Sequence, residues 1–250
     1  MKIAAIIQAR MGSSRLKGKV LIPLANKPVI QHVIERARLV PGITDVIVAT
    51  TLSPSDDPLV AFCNSMGVSV FRGSEEDVLD RYYQAALFHK ADTIVRLTSD
   101  CPLLDPIESG KVIKKFLETG ADYVSNVNPP MLPDGFDTEV FSLNTLKKAW
   151  ENARKKSDRE HVTLYIYSNP EIFKLDSVKY DIDLSAYRLT LDEEADYVLL
   201  KEIFLILDQQ KRFGYLEEVL SIIESHPKLK ELNRHIMRNE GLALSLSRDE

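Results

Sequence analysis

The stretch that decides the fold is Ile3-Ala4-Ala5-Ile6-Ile7-Gln8-Ala9-Arg10-Met11-Gly12-Ser13-Ser14-Arg15-Leu16-Lys17-Gly18-Lys19. An apolar, strand-like run, Ile3 to Ile7, opens directly into a loop of small residues whose cations include Arg10, Arg15 and Lys19. Gly12, Ser13 and Ser14 let the backbone approach a ligand closely, so successive N–H groups can face phosphate oxygens while the long cations close around them. The segment reads as a cradle for a nucleoside triphosphate at the carboxyl end of a strand. The competing reading is a basic surface turn that binds nothing.

Two familiar phosphate loops do not fit. A Walker A loop has four residues between its glycine and a Gly-Lys pair followed by Ser or Thr; here five residues separate Gly12 from Gly18, and Val20 follows Lys19. The dinucleotide fingerprint needs three glycines in Gly-x-Gly-x-x-Gly, and this segment has only Gly12 and Gly18.

Outward from the loop, strands are expected near Ile3–Ile7, Val46–Thr50, Val68–Phe71, Thr93–Thr98 and Tyr123–Ser125. Helices are expected near Val29–Val40, Pro58–Met66, Asp77–His89 and Ile107–Glu118. This alternation predicts an α/β fold, a mostly parallel sheet flanked by helices, with ligands at the carboxyl ends of its strands. Asp105, Pro106, Glu108 and Gly120 supply a cap, a first helical residue, a capping box and a stop for the helix after the fourth strand. Tyr82, Tyr83 and Phe88, at helical spacing, are expected in the core.

The pattern changes after Asn126, where Asn128-Pro129-Pro130 and Pro133-Asp134-Gly135 precede the alternating Phe136 to Ser142, a hairpin or long active-site loop. Ser157 and Glu160 have capping-box spacing ahead of a helix through Tyr167. Strands are expected near Ile172–Leu175 and Arg188–Leu191, then a helix over Glu193–Leu207. The chain divides on this reading into a nucleotide-binding half (1–125), a smaller inserted acceptor and dimer lobe (126–190) and closing helices with a tail (191–250), all within one nucleotidyltransferase domain. The end, Ser247 to Glu250, is expected to fray.

A 250-residue chain with 44% hydrophobic residues supports one large core. Its net charge of −5 and pI near 5.7 argue against a nucleic-acid surface and leave the N-terminal cations as a local pocket. Two cysteines without metal or disulfide spacing predict a cytoplasmic protein. The run after Lys2 is too short for a signal-peptide core, and Val198–Leu207 is interrupted by Lys201 and Glu202, so no membrane segment is expected.

A triphosphate pocket calls for a divalent cation held by carboxylates and phosphate oxygens. Asp100 stands just beyond the fourth strand in Arg96-Leu97-Thr98-Ser99-Asp100-Cys101-Pro102, and Asp192 ends Arg188-Leu189-Thr190-Leu191-Asp192. Each could instead simply cap a turn or helix.

These blocks resemble a known family. Gln8 to Lys19 is similar to the triphosphate loop of the cytidylyltransferases that make CMP-linked sugar acids, including the CMP-Kdo and CMP-sialic acid synthetases. Phe71 to Tyr82, Arg96 to Pro102, Asp134 to Phe141, Arg159-Glu160-His161-Val162, Arg188 to Asp192 and Asn239-Glu240-Gly241 resemble the branch called spore coat polysaccharide biosynthesis protein F. The resemblance covers nearly the whole chain. It implies a nucleotide-diphospho-sugar-transferase-like (Rossmann-like) fold and CMP transfer from CTP to a small anionic or sugar-like acceptor, with release of pyrophosphate for surface polysaccharide or glycoconjugate biosynthesis. It further implies a homodimer, Arg10, Arg15 and Lys19 on the triphosphate, and Asp100 and Asp192 on Mg2+. Arg15, Lys19 and Asp100 become the expected catalytic set. Thr98-Ser99-Asp100 departs from the Gln-Gly-Asp usual in the sugar-acid synthetases, so the acceptor stays open and Thr98 is a candidate for the difference.

Ala9, Gly12, Ser13 and Ser14 complete the expected substrate contacts of the loop. Arg72, Ser74 and Asp80 are candidates for the nucleobase or ribose, although Glu75, Glu76 and Arg81 read equally as a solvated helix start. Asp137 and Glu139, alternating on one strand face, are candidates for the acceptor, and His161 is a site residue or a structural histidine. Two other functions remain open: a glycosyltransferase, disfavoured because only Asp100 of Thr98-Ser99-Asp100 is acidic, and a non-catalytic CTP-binding module.

Overall fold

In the computed structural model, which describes residues 1–13 and 15–249, the apolar run forms β1 (Ile3–Gln8), an interior strand of a seven-stranded sheet. A small hairpin, β2 (Pro23–Leu24) with β3 (Lys27–Pro28), leads into α1 (Val29–Arg38). Then come β4 (Asp45–Thr51), α2 (Asp57–Ser65), β5 (Ser69–Gly73), α3 (Val78–Phe88), β6 (Thr93–Thr98), α4 (Pro106–Thr119) and β7 (Tyr123–Ser125). The second half adds β8 (Glu139–Ser142), α5 (Leu143–Asn152), α6 (Lys156–Glu160), α7 (Leu164–Tyr167) and β9 (Leu175–Ser177), then α8 (Glu194–Gln210), α9 (Leu216–Ser225), α10 (Pro227–Glu231) and α11 (Glu240–Ser247).

The strand order is β5-β4-β1-β6-β8-β7-β9. β1 pairs in parallel with β4 on one side and β6 on the other, and β8 runs antiparallel between β6 and β7. The chain winds outward from β1 through β4 to β5, then crosses back to β6. This reversal splays the connections after β1 and β6 apart and opens a crevice at their carboxyl ends. The loop after β1 and Asp100 after β6 face that crevice for this reason.

Period-two alternation along β1 builds a core on each face of the sheet. Ile3, Ala5 and Ile7 pack with α1, α2 and α4 residues such as Ile30, Leu59 and Val112, while Ala4 and Ile6 pack with Leu79, Tyr82, Phe141 and Leu146 from the opposite layer. A third cluster joins Leu24, Phe136, Leu189 and Leu191 to Leu200, Ile203, Val219 and Ile222 of α8 and α9. Residues 126–190 supply β8 and β9 to the common sheet. No described helix is long and apolar enough to cross a membrane.

The expected first-half elements are all present; several later details differ. The helix expected through Tyr167 is two short helices, because Val162 adopts φ 56° between them, and Ser157 and Glu160 bond to Asp249 and Ser245 rather than forming a capping box. Arg188–Leu191 is not a strand: Arg188 forms a single bridge with Asp134, and the Leu191 N–H donates to the Asp100 carbonyl at 2.8 Å. The strand expected near Ile172–Leu175 is β9, shifted to Leu175–Ser177. Asp105 caps α4 and Gly120 ends it at φ 56°, but Glu108 accepts from Lys111 and Tyr180 instead of closing a capping box. Tyr82 and Tyr83 are buried, whereas Phe88 is exposed at the helix end.

Candidate active site

The loop is held by a buried carboxylate. Asp56 accepts from the Met11 N–H at 2.7 Å, from the Thr50 hydroxyl at 2.8 Å and from the Thr51 N–H at 3.1 Å. Burial alone would raise its pKa, but these donors outweigh burial and hold it below the usual carboxylate range. Within the loop, Gly18 at φ 65° returns its N–H to the Met11 carbonyl and starts the 3-10 turn Lys19–Leu21. The Ser13 hydroxyl accepts from the Leu16 N–H. Ser14 lies outside the described residues.

That turn sends Lys19 inward. Its Nζ donates to Asp100 Oδ2 at 2.9 Å, Asp192 Oδ1 at 2.7 Å and the Leu191 carbonyl at 2.9 Å. Burial opposes the ammonium charge, yet the two carboxylates hold the Lys19 pKa above the ordinary lysine value. Burial likewise works against ionised Asp100, but Lys19 brings it down to about 2. Arg15 lies 3.1 Å from Asp192 and 3.6 Å from Glu240, and Arg10 lies 3.0 Å from Glu75. Arg10, Arg15 and Lys19 are therefore each pre-positioned against a carboxylate.

Asp192 is aimed by Arg188, which donates to Asp134, Asp192 and Asp196 at 2.9–3.3 Å; Asn233 braces Asp196 from behind. This network requires two chain segments to touch. Gly135, at φ 108°, permits it, because a Cβ there would lie 2.5 Å from the Leu189 carbonyl oxygen.

Two cavities meet at Thr98, Asp100 and His161. The larger, about 910 Å³, runs from Ala9 and Arg10 past Ser74 to Arg159; the smaller, about 460 Å³, is walled by Arg15, Asp134, Asp137, Asp192 and Arg238. Such a pair suits a nucleotide in one and an acceptor in the other, meeting beside Asp100.

Asp100 and Asp192 offer only hard oxygen donors and converge on one cationic point, which suits a magnesium ion completed by phosphate oxygens. Among the described residues no group of three or more His, Cys, Asp or Glu forms a self-sufficient metal cluster. A two-carboxylate site shared with substrate is the arrangement these residues fit.

The remaining expected residues separate into two groups. Ala9, Ser74, Thr98 and His161 line the larger cavity, Asp137 and Glu139 the smaller, and Gly12 faces Glu75, its missing Cβ 3.5 Å from Oε1. Arg72 is not in the cavity: its guanidinium is consumed by the Thr51 and Ser53 carbonyls and Asp57. Asp80 is also turned away, accepting from Trp150 and Gln84. Glu139 is a buried tie, ion-paired to Arg96 and accepting from Tyr123 at 2.7 Å and Thr163 at 2.6 Å. Asp137 precedes β8 and pairs with Arg238 at 3.0 Å; burial first, then Asp134, push its carboxyl up to about 7. His161 Nε2 lies 3.0 Å from the Ser245 hydroxyl, and burial lowers its pKa.

Sequence reasoning missed Asp56 and the reach of the C-terminal segment. Asp56 looks like an ordinary residue of the turn Ser53-Pro54-Ser55-Asp56, and nothing local shows that it reaches Met11. The C-terminal segment returns to the site: Arg238 to Asp137, Glu240 to Arg15 and Ser245 to Glu160; of the end expected to fray, Asp249 reaches Ser157 and Glu250 lies outside the described residues.

A family model described as cytidylyltransferase matches residues 4–240. An uncharacterized protein of Methanocaldococcus jannaschii is 41% identical over 243 residues, 94% of this chain and 96% of that one. Spore coat polysaccharide biosynthesis protein SpsF of Bacillus subtilis is 36% identical over 209 residues, covering 81% of this chain and 86% of its own. The structure of a cytidylyltransferase from Leptospira borgpetersenii serovar Hardjo-bovis superposes with a TM-score of 0.87 at 33% identity, covering 95% of this chain and all of that one.

Proposed function

This chain belongs to the cytidylyltransferase family, and from that premise we propose that it transfers CMP from CTP to a sugar acid or phosphorylated sugar-like acceptor, releasing pyrophosphate. The observation that carries the reading is the convergence of Lys19, Asp100 and Asp192 where the two cavities meet, with Arg15 beside them.

In the reaction an acceptor oxygen attacks the α-phosphorus of CTP in line. The bond from that phosphorus to the bridging oxygen breaks, and pyrophosphate leaves with the electron pair. Lys19 and Arg15 exchange carboxylate partners for phosphate oxygens and neutralise charge as it builds on the leaving group. Asp100 and Asp192 would hold Mg2+, which when bound lends a second positive centre to the phosphates. Where the acceptor is a hydroxyl, Asp137 is the carboxylate suited to take its proton, since a base works best near its operating pH. No covalent intermediate is needed.

The test is a pyrophosphate-release screen that crosses four nucleoside triphosphates with sugar acids and phosphorylated sugars, with and without Mg2+. Release only with CTP, Mg2+ and one acceptor class supports the reading. Release of free sugar from a nucleotide-sugar, with none of pyrophosphate from CTP, overturns it in favour of a glycosyltransferase. A homodimer built through residues 126–190 is part of the same proposal, and light scattering coupled to size exclusion checks it.

A further inference from the structure

A third enclosure lies behind the Arg188 network, outside both cavities described above. It is a pocket of about 350 Å³ between the Tyr187–Arg188 segment, α8, α9 and the residues that follow α10. Arg188 is the partition, since it also walls the smaller active-site cavity. Each of its guanidinium nitrogens already donates to Asp134, Asp192 or Asp196, so it brings no spare charge to the rear pocket.

Asn233 is the polar group built into this pocket. It is 4% exposed, and its Nδ2 donates to the Arg188 carbonyl at 3.0 Å and to Asp196 Oδ1 at 2.8 Å. Two acceptors at the nitrogen fix which way the amide points. Its Oδ1 accepts from no described residue. Among the described residues, the side-chain atoms that are sealed from solvent without a partner are Arg81 Nε, His89 Nε2, Arg96 Nε and Ser125 Oγ. Asn233 Oδ1 lacks a partner but is not one of these, so it opens into the pocket that its residue lines. A carbonyl oxygen held there calls for an N–H or O–H donor from whatever fills the pocket.

The rest of the lining sets charge and shape. Lys230 Nζ stands 4.8 Å from the centroid of the Tyr187 ring and has no carboxylate partner among the described residues, whereas Arg234 at the rim is paired with Glu231 at 3.4 Å. One positive charge is therefore uncompensated. Leu199 and Ile223, both buried, and Ile236 give the pocket an apolar wall.

We propose that this pocket binds a small organic monoanion: a carboxylate to meet Lys230, a neutral hydroxyl or amide N–H to satisfy Asn233 Oδ1, and a branched aliphatic body to cover Leu199, Ile223 and Ile236. A nucleoside triphosphate carries too much charge for a single cation. The site is independent of the CTP reading, and neither depends on the other.

The probe is 2-hydroxy-4-methylpentanoate, which has all three features, titrated into the full-length protein and followed by NMR of the ligand. Saturable binding with a Kd on the order of 1 mM is expected, as befits so few atoms. 4-Methylpentanoate, which lacks the hydroxyl, should bind about fivefold more weakly, the worth of one net hydrogen bond. Lys230→Gln should weaken the hydroxy acid about tenfold, since hydrogen bonds to charged groups are worth more. Ala186→Trp, at the pocket rim, should block it altogether; both positions are exposed, so neither change touches the core. Arg238→Gln, in the smaller active-site cavity, should leave binding as it was. Absence of saturable binding overturns the proposal, as does equal affinity for the two acids. Binding lost in Arg238→Gln but kept in Ala186→Trp places the probe in the acceptor cavity and overturns it too.

Discussion

In the reaction proposed above, Lys19 serves twice, bridging two carboxylates in the resting site and then meeting the phosphates. Its ammonium separates two carboxylates that would otherwise repel each other, so its removal should matter in two distinct ways. Lys19→Ala is expected to cut pyrophosphate release at least about a hundredfold, as loss of one charge-stabilising donor commonly does, while circular dichroism stays that of the wild type. The same variant leaves Asp100 and Asp192 without their shared cation. Its melting temperature should therefore rise more steeply with added Mg2+ than that of wild type, because binding to the native state alone stabilises by mass action. Asp100→Asn is expected to abolish turnover with the fold intact, and near-normal turnover would remove Asp100 from the site. At Asp137 the sign follows from a carboxyl held at about 7: it is protonated and idle below that pH and ionised above it. Turnover with a hydroxyl acceptor should thus rise through about pH 7 in wild type. Asp137→Asn should be slow and flat across the same range, and an unchanged profile would remove Asp137 as the base.

Among the elements, the turn at Pro133–Phe136 illustrates a position where backbone geometry, not side-chain chemistry, sets the site. Gly135 touches the Leu189 carbonyl so closely that any side chain forces the 133–136 turn and the 187–191 segment apart. The bridge between Asp134 and Arg188 and the aim of Asp192 depend on that contact. Gly135→Ala is expected to cost about 2–4 kcal/mol in urea unfolding, from a positive φ and a backbone clash together, and to weaken turnover beyond the stability loss. A variant as stable and active as wild type would show that the two segments need not touch. The sequence marks this turn by Pro-Asp-Gly, but the reason for the glycine is across space. Likewise Val162 at φ 56° breaks an otherwise convincing helical pattern, because His161 and Thr163 are drawn to Ser245 and Glu139 respectively.

At the scale of the whole molecule, the C-terminal segment closes the smaller cavity. Arg238, Glu240, Ser245 and Asp249 reach Asp137, Arg15, Glu160 and Ser157, none of which is near them in sequence. Deleting residues 239–250 removes three of these ties but no strand of the sheet and no member of its two flanking cores. The truncated protein is expected to unfold within a few degrees of wild type while its KM for the acceptor rises severalfold. A truncated enzyme with unaltered KM would show that α11 does not wall the acceptor side.

The first half of the fold was readable because it rests on local signals: period-two and period-3.6 patterning and caps at helix ends. Lys19 in the loop, and Asp100 and Asp192 at the ends of expected strands, were singled out from position and family resemblance, and the structure brings the three together. Which charged side chains face the cavity was not readable. Arg72 and Arg81 lie nine positions apart in one motif, yet tertiary packing ties Arg72 to the Thr51 carbonyl, the Ser53 carbonyl and Asp57 and puts Arg81 in the cavity wall. Sequence by itself determined the alternating α/β plan and the cationic, small-residue character of the loop after β1. Only the tertiary structure decided that Lys19 would bridge Asp100, 81 positions away, and Asp192, 173 positions away. The physical reason is that ion pairs and buried hydrogen bonds are settled by which strand ends the crossover connections bring together, and no local pattern encodes that distance.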